Sequence, residues 1–255
     1  VVRTANRGVG AARNLGWRLG RGDLVAFLDS DDRWFPAKLA TQVEFLREHP
    51  KVGLVGCLMR YETPAGELLG VTGVAPLSDR DREEIRQAKL MPFPMSSVVV
   101  RRSVLEDVGG FDEQRDRAFP GQVEDIDLVA RAARRTVVDS IPLVLGTYRV
   151  HASSASERQF ASQRIGVRFV RARLRERDAG RDLDVAAFLA SYRPTLAQRW
   201  GDAAARAYRR AGLAVAERRW LAAVGWGVAA ALLGPRYTIR RLGRQRPWER
   251  GRDVG

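Results

Sequence analysis

The sequence predicts an α/β layered domain followed by an all-helical region, and three observations carry that reading. Short, continuous apolar runs of strand length alternate with segments of helical spacing up to about residue 150. Beyond His151 the strand signal stops, and apolar residues recur only at helical intervals. Charge divides at the same place. Residues 1–150 carry 22 basic and 21 acidic side chains, whereas residues 151–255 carry 22 basic and 9 acidic ones, a net of +13. With 255 residues, 45% of them apolar, the chain can bury one full core and support a smaller appendage.

The elements follow in order. The chain opens Val1-Val2-Arg3 and reads as if it enters at the end of a strand. The first elements of the domain are therefore expected to lie outside it. Val9, Ala12, Leu15, Gly16 and Leu19 have helical spacing, with Gly20 and Gly22 as stop signals. Residues 24–28 (Leu-Val-Ala-Phe-Leu) predict a buried strand that ends in Asp29-Ser30-Asp31-Asp32. Pro36 suits the first turn of a helix whose face is Leu39, Val43 and Leu46 and which Pro50 closes. Val52 to Leu58 predicts the next buried strand. Residues 62–92 read as irregular, with a short helix at 79–90, and Ser97 to Val100 as a strand. Ser103, with Glu106 three residues on, predicts a capping box for a short helix ended by Gly109-Gly110. A helix over 124–135, two strands at 136–141 and 143–149, and helices near 160–174, 183–191, 197–217 and 220–233 complete the reading.

Composition excludes several classes. Cys57 is the sole cysteine, so neither an internal disulfide nor a cysteine-based zinc site can form. The longest apolar run, Trp220 to Leu233, is 14 residues, too short to span a bilayer as a helix. A cytoplasmic setting is expected. The net charge of +14 invites nucleic acid as a partner. However, only Lys38, Lys51 and Lys89 are lysines among 44 basic residues, a bias that reflects a GC-rich genome more than a selected surface. No specific nucleic-acid partner is expected.

Three carboxylates within four residues, at the carboxyl end of a strand, lie where open α/β sheets bind ligands. Their mutual repulsion would be relieved by a divalent cation, and oxygen ligands suit Mg²⁺ or Mn²⁺. The same residues could instead form a solvated turn that caps the following helix. Glu124-Asp125-Ile126-Asp127 is open in the same way, because anions favour any helix N-terminus.

The ordered set of motifs extends well past this cluster. Asn6-Arg7-Gly8 and Ala12-Arg13-Asn14-Leu15-Gly16 precede the strand, and Trp34-Phe35-Pro36 with Lys38-Leu39 follows the acidic residues. Further on come Gly109-Gly110-Phe111-Asp112-Glu113, Glu124-Asp125-Ile126-Asp127-Leu128 and Tyr148-Arg149-Val150-His151. In order and spacing this resembles the family 2 glycosyltransferases, over about residues 3–156. The resemblance implies a GT-A, Rossmann-like nucleotide-sugar transferase domain over 1–156, lacking its first strands, and leaves 157–255 as a basic helical region.

What the resemblance implies for single residues is specific. Asp31 would ligate the metal directly, Mg²⁺ or Mn²⁺. Asp29 would serve the metal or the donor's ribose and sugar, and Arg13 the nucleotide. Asp125 would be the general base that takes the acceptor hydroxyl's proton, with its pKa raised by burial beside Glu124. Glu124 would contribute to substrate binding, and His151 could be a further metal ligand or a hydrogen-bonded loop histidine. Asp127 reads as structural, Asp32 as a cap or a ligand, and Trp34 as a packing residue under the site. The implied reaction is metal-dependent, inverting transfer from a nucleotide-diphosphate sugar to a saccharide or lipid-linked acceptor, of the kind used for cell-envelope polysaccharide. Sugar nucleotidyl transfer on a related fold is disfavoured by the Glu-Asp-x-Asp-Leu and Tyr-Arg-x-His blocks.

The resemblance does not reach the basic region, which holds four of the six tryptophans: Trp200, Trp220, Trp226 and Trp248. Arginine with tryptophan suits an anionic membrane surface. Peripheral association with the inner face of the cell membrane is therefore one expectation, and a helical hairpin with solvated arginine faces the other. The competing view of the whole chain is a basic module that binds nucleic acid or membrane and carries a degenerate enzyme domain.

Overall fold

The computed structural model describes residues 2–63, 66–113, 123–149, 159–216 and 219–242. Its first unit is a six-stranded mixed sheet with helices on both faces. The strands are β1 (Leu24–Ala26), β2 (Arg33–Trp34), β3 (Val52–Glu62), β4 (Leu68–Thr72), β5 (Val99–Arg101) and β6 (Val137–Arg149). The order is β1-β5-β3-β6-β2, with β4 paired to the far end of β3. Only β3 and β6 run parallel, and every other pairing is antiparallel.

β3 is the central strand because nearly every side chain in its first half is buried: Val52, Leu54, Val55 and Cys57 are 5% exposed or less. Its neighbours share its faces. Leu54 lies opposite Val100, and both join the larger core with Val98, Val104, Leu105, Leu128 and Val138. Val55 lies opposite Val99, and both join Leu46, Val52 and Ile141 on the other face. α2 (Lys38–Glu48) covers that second face through Leu46, whereas α3 (Asp79–Arg86), α4 (Arg102–Val108) and α5 (Glu124–Ala132) contribute Ile85, Leu105 and Leu128 to the first.

Several expectations change here. Residues 2–8 form no strand, and α1 (Val9–Leu19) follows directly. α1 buries Gly10, Asn14 and Trp17, while Leu19 is 56% exposed, so the apolar spacing had pointed to the wrong face. The strand at 24–28 ends at Ala26 and is only half-buried, because β1 is an edge strand that pairs with β5 alone. α2 buries Lys38, Gln42 and Leu46 and leaves Leu39 exposed, since a polar network described below claims that face. Residues 62–92 are less irregular than expected. β4 lies within them, and α3 is closed at its start by a capping box between Ser78 and Asp81. α4 begins at Arg102, one residue before the expected Ser103 cap, and its cap position, Arg101, makes no side-chain cap hydrogen bond. The two strands expected at 136–141 and 143–149 are one. The ladder with β3 passes from Ile141 opposite Cys57 to Val144 opposite Leu58, so Pro142, which has no N–H to give, sits in a register shift.

The helices that follow are α6 (Phe160–Asp178), α7 (Val185–Ser191), α8 (Leu196–Ala216), α9 (Trp220–Leu233) and α10 (Pro235–Leu242). α6 packs on α5 through Val170 and Leu174 against Val123 and Ala130. Arg171 Nε also donates to the carbonyl of Ala88 at 2.9 Å. α8 is tied to α6 by Asp202, which accepts from Arg164 and Arg168, each at 2.7 Å. The expected α/β domain and helical C-terminal part are therefore both present, and the sheet is mixed.

Candidate active site

The acidic turn hangs just past β1. Phe27 anchors it in the core, edge-on to Phe111 with ring centroids 5.3 Å apart. The backbone N–H of Asp29 donates to Ser96 Oγ at 3.0 Å, and the N–H of Asp32 donates to the carbonyl of Asp29 at 3.1 Å, closing a tight turn. The turn sorts its three carboxylates by environment: Asp29 is half-buried, Asp31 is exposed and Asp32 is buried.

Asp32 faces inward. Its Oδ1 accepts the N–H of Arg149 at 3.0 Å, which fastens the turn to the end of β6 just before Val150 and His151. Its Oδ2 is buried without a hydrogen-bond partner. Burial pushes the Asp32 carboxyl up to about 6; the nearby Ser96 hydroxyl and the Arg149 N–H oppose that shift, and the neighbouring Asp31 and Asp29 add to it. Asp32 thus faces the protein interior, and Asp31 faces solvent.

Arg13 joins this turn to the other acidic motif. From α1 its Nη2 donates to Asp29 Oδ1 at 2.6 Å, and its Nη1 donates to Glu124 Oε1 at 2.8 Å. Glu124 opens α5 and is buried, 4% exposed, and Arg13 is 12% exposed. Burial alone would lower the guanidinium's pKa, but Asp29 and Glu124 outweigh it and hold it above its ordinary value. The guanidinium also lies over the ring of Phe111, 5.5 Å from its centroid. A cation so enclosed fixes the spacing between the two acidic motifs, which are 95 residues apart in sequence.

Asp125, the expected general base, is half-buried beside its buried neighbour Glu124, and its Oδ1 accepts the N–H of Ile126 at 2.7 Å. Asp127 points elsewhere. It pairs with Arg131 at 2.7 Å, and Arg131 donates to the carbonyls of Val108 and Gly110. His151 lies outside the described residues. Among the described residues no three metal-capable side chains converge. Asp29, Asp31, Arg13, Glu124 and Asp125 are thus placed along one seam between α1, the acidic turn and the start of α5.

Two supports hold the site, and of their members the sequence had assigned only Trp34, as a packing residue under it. Asn14 is 1% exposed and uses its whole amide. Its Nδ2 donates to Phe111 O at 2.8 Å and Glu113 Oε1 at 2.9 Å, and its Oδ1 accepts from Phe111 N at 2.9 Å and Trp17 Nε1 at 3.0 Å. A Cβ on Gly110 would lie 2.5 Å from that Oδ1, and Gly110 has φ +68, so this turn requires glycine. The second support lies beneath the acidic turn. Trp34 Nε1 donates to Ser96 O at 2.6 Å, and the fully buried Lys38 ammonium sits over the Trp34 ring at 4.3 Å and donates to Gln42 Oε1 at 2.6 Å. Gln42 Nε2 donates in turn to Ser97 O at 2.8 Å. Asn14 stands within the Ala12-Arg13-Asn14-Leu15-Gly16 motif, which was the available signal; Ser96 and Gln42 gave none.

Comparison with known proteins agrees with these motifs. Residues 1–109 match the family model described as glycosyl transferase family 2. An uncharacterised glycosyltransferase of Nostoc sp. is 29% identical over 174 residues, which cover 64% of this chain and 52% of that protein. The pre-mycofactocin glycosyltransferase of Mycobacterium tuberculosis is 30% identical over 155 residues, 56% of this chain and 31% of that protein. The chain thus spans about half the length of the first relative and about a third of the second. Among solved structures, the mannosyltransferase of Pyrobaculum calidifontis in complex with GDP-Man and Mn²⁺ is 22% identical, with a TM-score of 0.45, covering 91% of this chain and 68% of that one. Over residues 1–109 the chain is similar to glycosyl transferase family 2.

Proposed function

We propose that this chain carries the GT-A machinery of a glycosyltransferase that moves a glycosyl unit from a nucleoside-diphosphate sugar to a hydroxyl of a saccharide or lipid-linked acceptor. It works on the cytoplasmic side of the cell membrane, in cell-envelope polysaccharide assembly. The observation that supports this reading most is the Arg13 bridge, because it sets the donor-side carboxylate Asp29 and the acceptor-side pair Glu124 and Asp125 at a fixed separation.

The acceptor oxygen bonds to the anomeric carbon as the bond from that carbon to the diphosphate oxygen breaks. The nucleoside diphosphate leaves with the electron pair, and the acceptor's proton passes to the carboxylate of Asp125. Attack from the face opposite the leaving group inverts the anomeric centre. Glu124 orients the start of α5 through Arg13, and Asp29 serves the donor sugar or ribose. Arg13 has five N–H donors, so its two carboxylate partners do not exhaust it, and the rest suit the diphosphate.

Asp31 and Asp29, with His151, are the residues that would hold Mg²⁺ or Mn²⁺. The donor set fits, because carboxylate oxygens with one imidazole suit a hard or borderline divalent cation. Three side chains are fewer than the roughly six ligands such a cation takes, so substrate oxygens and water would complete the shell. When bound, the cation supplies charge neutralisation at the diphosphate.

The test is release of nucleoside diphosphate from a panel of nucleotide sugars by the intact protein, with Mn²⁺ or Mg²⁺, in wild type, Asp31→Ala and Asp125→Asn. One donor should turn over, and each variant should lose about 100-fold or more. Turnover unchanged in Asp125→Asn would remove the assigned base. Metal and nucleotide binding unchanged in Asp31→Ala, without turnover of any donor in wild type, would leave the acidic turn as a helix cap only.

A further inference from the structure

α9 is packed inside out for a helix in water. Its sequence is apolar from Trp220 to Leu233 without a charged residue. The residues it buries are small: Ala223 is 8% exposed and Ala230 0%, and Ala230 leads on to Gly234 four residues later. At Gly234 an added Cβ would meet the Cβ of Ala204 on α8 at 2.7 Å, so the two helices approach through small residues. Apart from Trp226, whose ring lies 4.7 Å from the guanidinium of Arg210 on α8, the large residues with the highest exposure point the other way. Leu221 is 92% exposed, Val224 66%, Val228 54% and Leu232 79%. Their spacing of three, four and four residues places them on one face. A helix whose medium is water buries its large apolar side chains. One that packs through alanine and glycine and turns leucine and valine outward follows the rule for helices whose medium is lipid.

The charge around that face identifies the lipid. Residues 219–242 carry four arginines, Arg219, Arg236, Arg240 and Arg241, and no acidic side chain. They flank α9 in sequence at both ends, where an arginine stem can run along the apolar layer while its guanidinium reaches the headgroups. Trp220, 62% exposed at the first position of α9, has the amphipathic ring that settles at such a boundary. With 14 residues, α9 is about 21 Å long, shorter than a hydrocarbon core of about 30 Å, and no helix among the described residues is long and apolar enough to cross a membrane. On a bilayer, a helix of that length would lie in the plane of the surface.

We propose that the Leu221–Val224–Val228–Leu232 face of α9 docks on a bilayer surface rich in anionic lipid, with the flanking arginines on the headgroup phosphates. This rests on the helical region alone and stands independently of the glycosyltransferase reading. A lipid-bound acceptor would then be presented at the same surface.

Co-sedimentation of the intact protein with vesicles tests it, using phosphatidylcholine alone and a 7:3 mixture with phosphatidylglycerol. Wild type should partition onto the mixed vesicles at least tenfold better than onto the neutral ones, and less as salt rises. Leu221→Ser with Leu232→Ser should cut that partition at least tenfold with an unchanged melting temperature, because both side chains are exposed. Arg219→Gln with Arg236→Gln should remove most of the salt dependence. No preference for the anionic vesicles, or binding indifferent to the leucine pair, overturns the proposal. So does a concentration-dependent dimer that the leucine pair abolishes while vesicles go unbound, since the face would then be covered by a second copy. Neither readout uses turnover, so failure here leaves the enzymatic reading untouched, and the reverse also holds.

Discussion

The sheet unit and the hairpin of α8 and α9 solve opposite packing problems. Residues up to Arg149 bury large side chains, Leu54, Leu105, Leu128 and Leu145 among those at 0% exposure, and carry near-equal numbers of acids and bases. The hairpin of α8 and α9 buries Ala204, Ala205, Ala207, Ala214, Ala223 and Ala230 and exposes Leu196, Leu221 and Leu232. Burial free energy scales with apolar area removed from water, so an alanine interface stabilises far less than a leucine core. The first unit is built to hold a site rigidly from within. The second gains little by folding alone and leaves its largest apolar surface outside, where an external partner can cover it.

Truncation on each side of that divide tests the contrast most sharply. Leu54→Ala removes a fully buried side chain at the centre of the main core and should cost about 3 kcal/mol. Leu232→Ala, at 79% exposure, should change stability by no more than about 0.5 kcal/mol in the absence of lipid. Urea denaturation of both variants without vesicles reads the difference. Equal losses would show that α9 is a conventional core helix and would break the comparison.

A smaller effect is expected where the first unit locks its own turns. Gly110→Ala places a methyl against the Asn14 amide oxygen at a positive φ and should cost about 2 kcal/mol, from strain and from the loosened Asn14 network. Because Asn14 and Arg13 are adjacent on α1, turnover should fall further than stability. An activity loss no larger than the unfolded fraction would separate the Gly-Gly-Phe-Asp turn from the site.

The same contrast governs what could be read from sequence. The acidic turn, the Glu-Asp helix start and the Gly-Gly turn were legible because each is a local pattern of charge or backbone demand. Trp220–Leu233 was legible as a helix for the same reason. The buried faces of α1 and α2 were not. Apolar spacing favoured Leu19 and Leu39, while the fold buries Asn14, Lys38 and Gln42, whose partners lie far away in sequence. The Arg13 contact with Glu124 spans 111 residues, and no local rule encodes it. The two-residue β2 escaped because two residues show no period. The outward face of α9 escaped because an apolar helix of 14 residues declares its medium only once its small-residue side is seen against α8.

Lys38 gives the finest test of how tightly the sheet unit is built. Its ammonium is fully buried between Trp34 and Gln42, and burial pulls its pKa down to about 8, with Cys57 opposing the shift. The folded value lies below the ordinary value of 10.5, so between about pH 8 and 10.5 the unfolded chain binds more protons than the folded one. Stability from this group therefore rises with pH across that window, and the burial cost is carried in full below it. Measured against Lys38→Met, which keeps the volume and drops the charge, wild type should gain about 1–2 kcal/mol between pH 7.5 and pH 10. The Trp34 ring repays part of the desolvation and makes the gain smaller than burial alone would give. Urea titrations of both proteins at the two pH values decide it. A difference that does not move with pH would mean that water reaches this ammonium, and that the support under the acidic turn is looser than its hydrogen bonds imply.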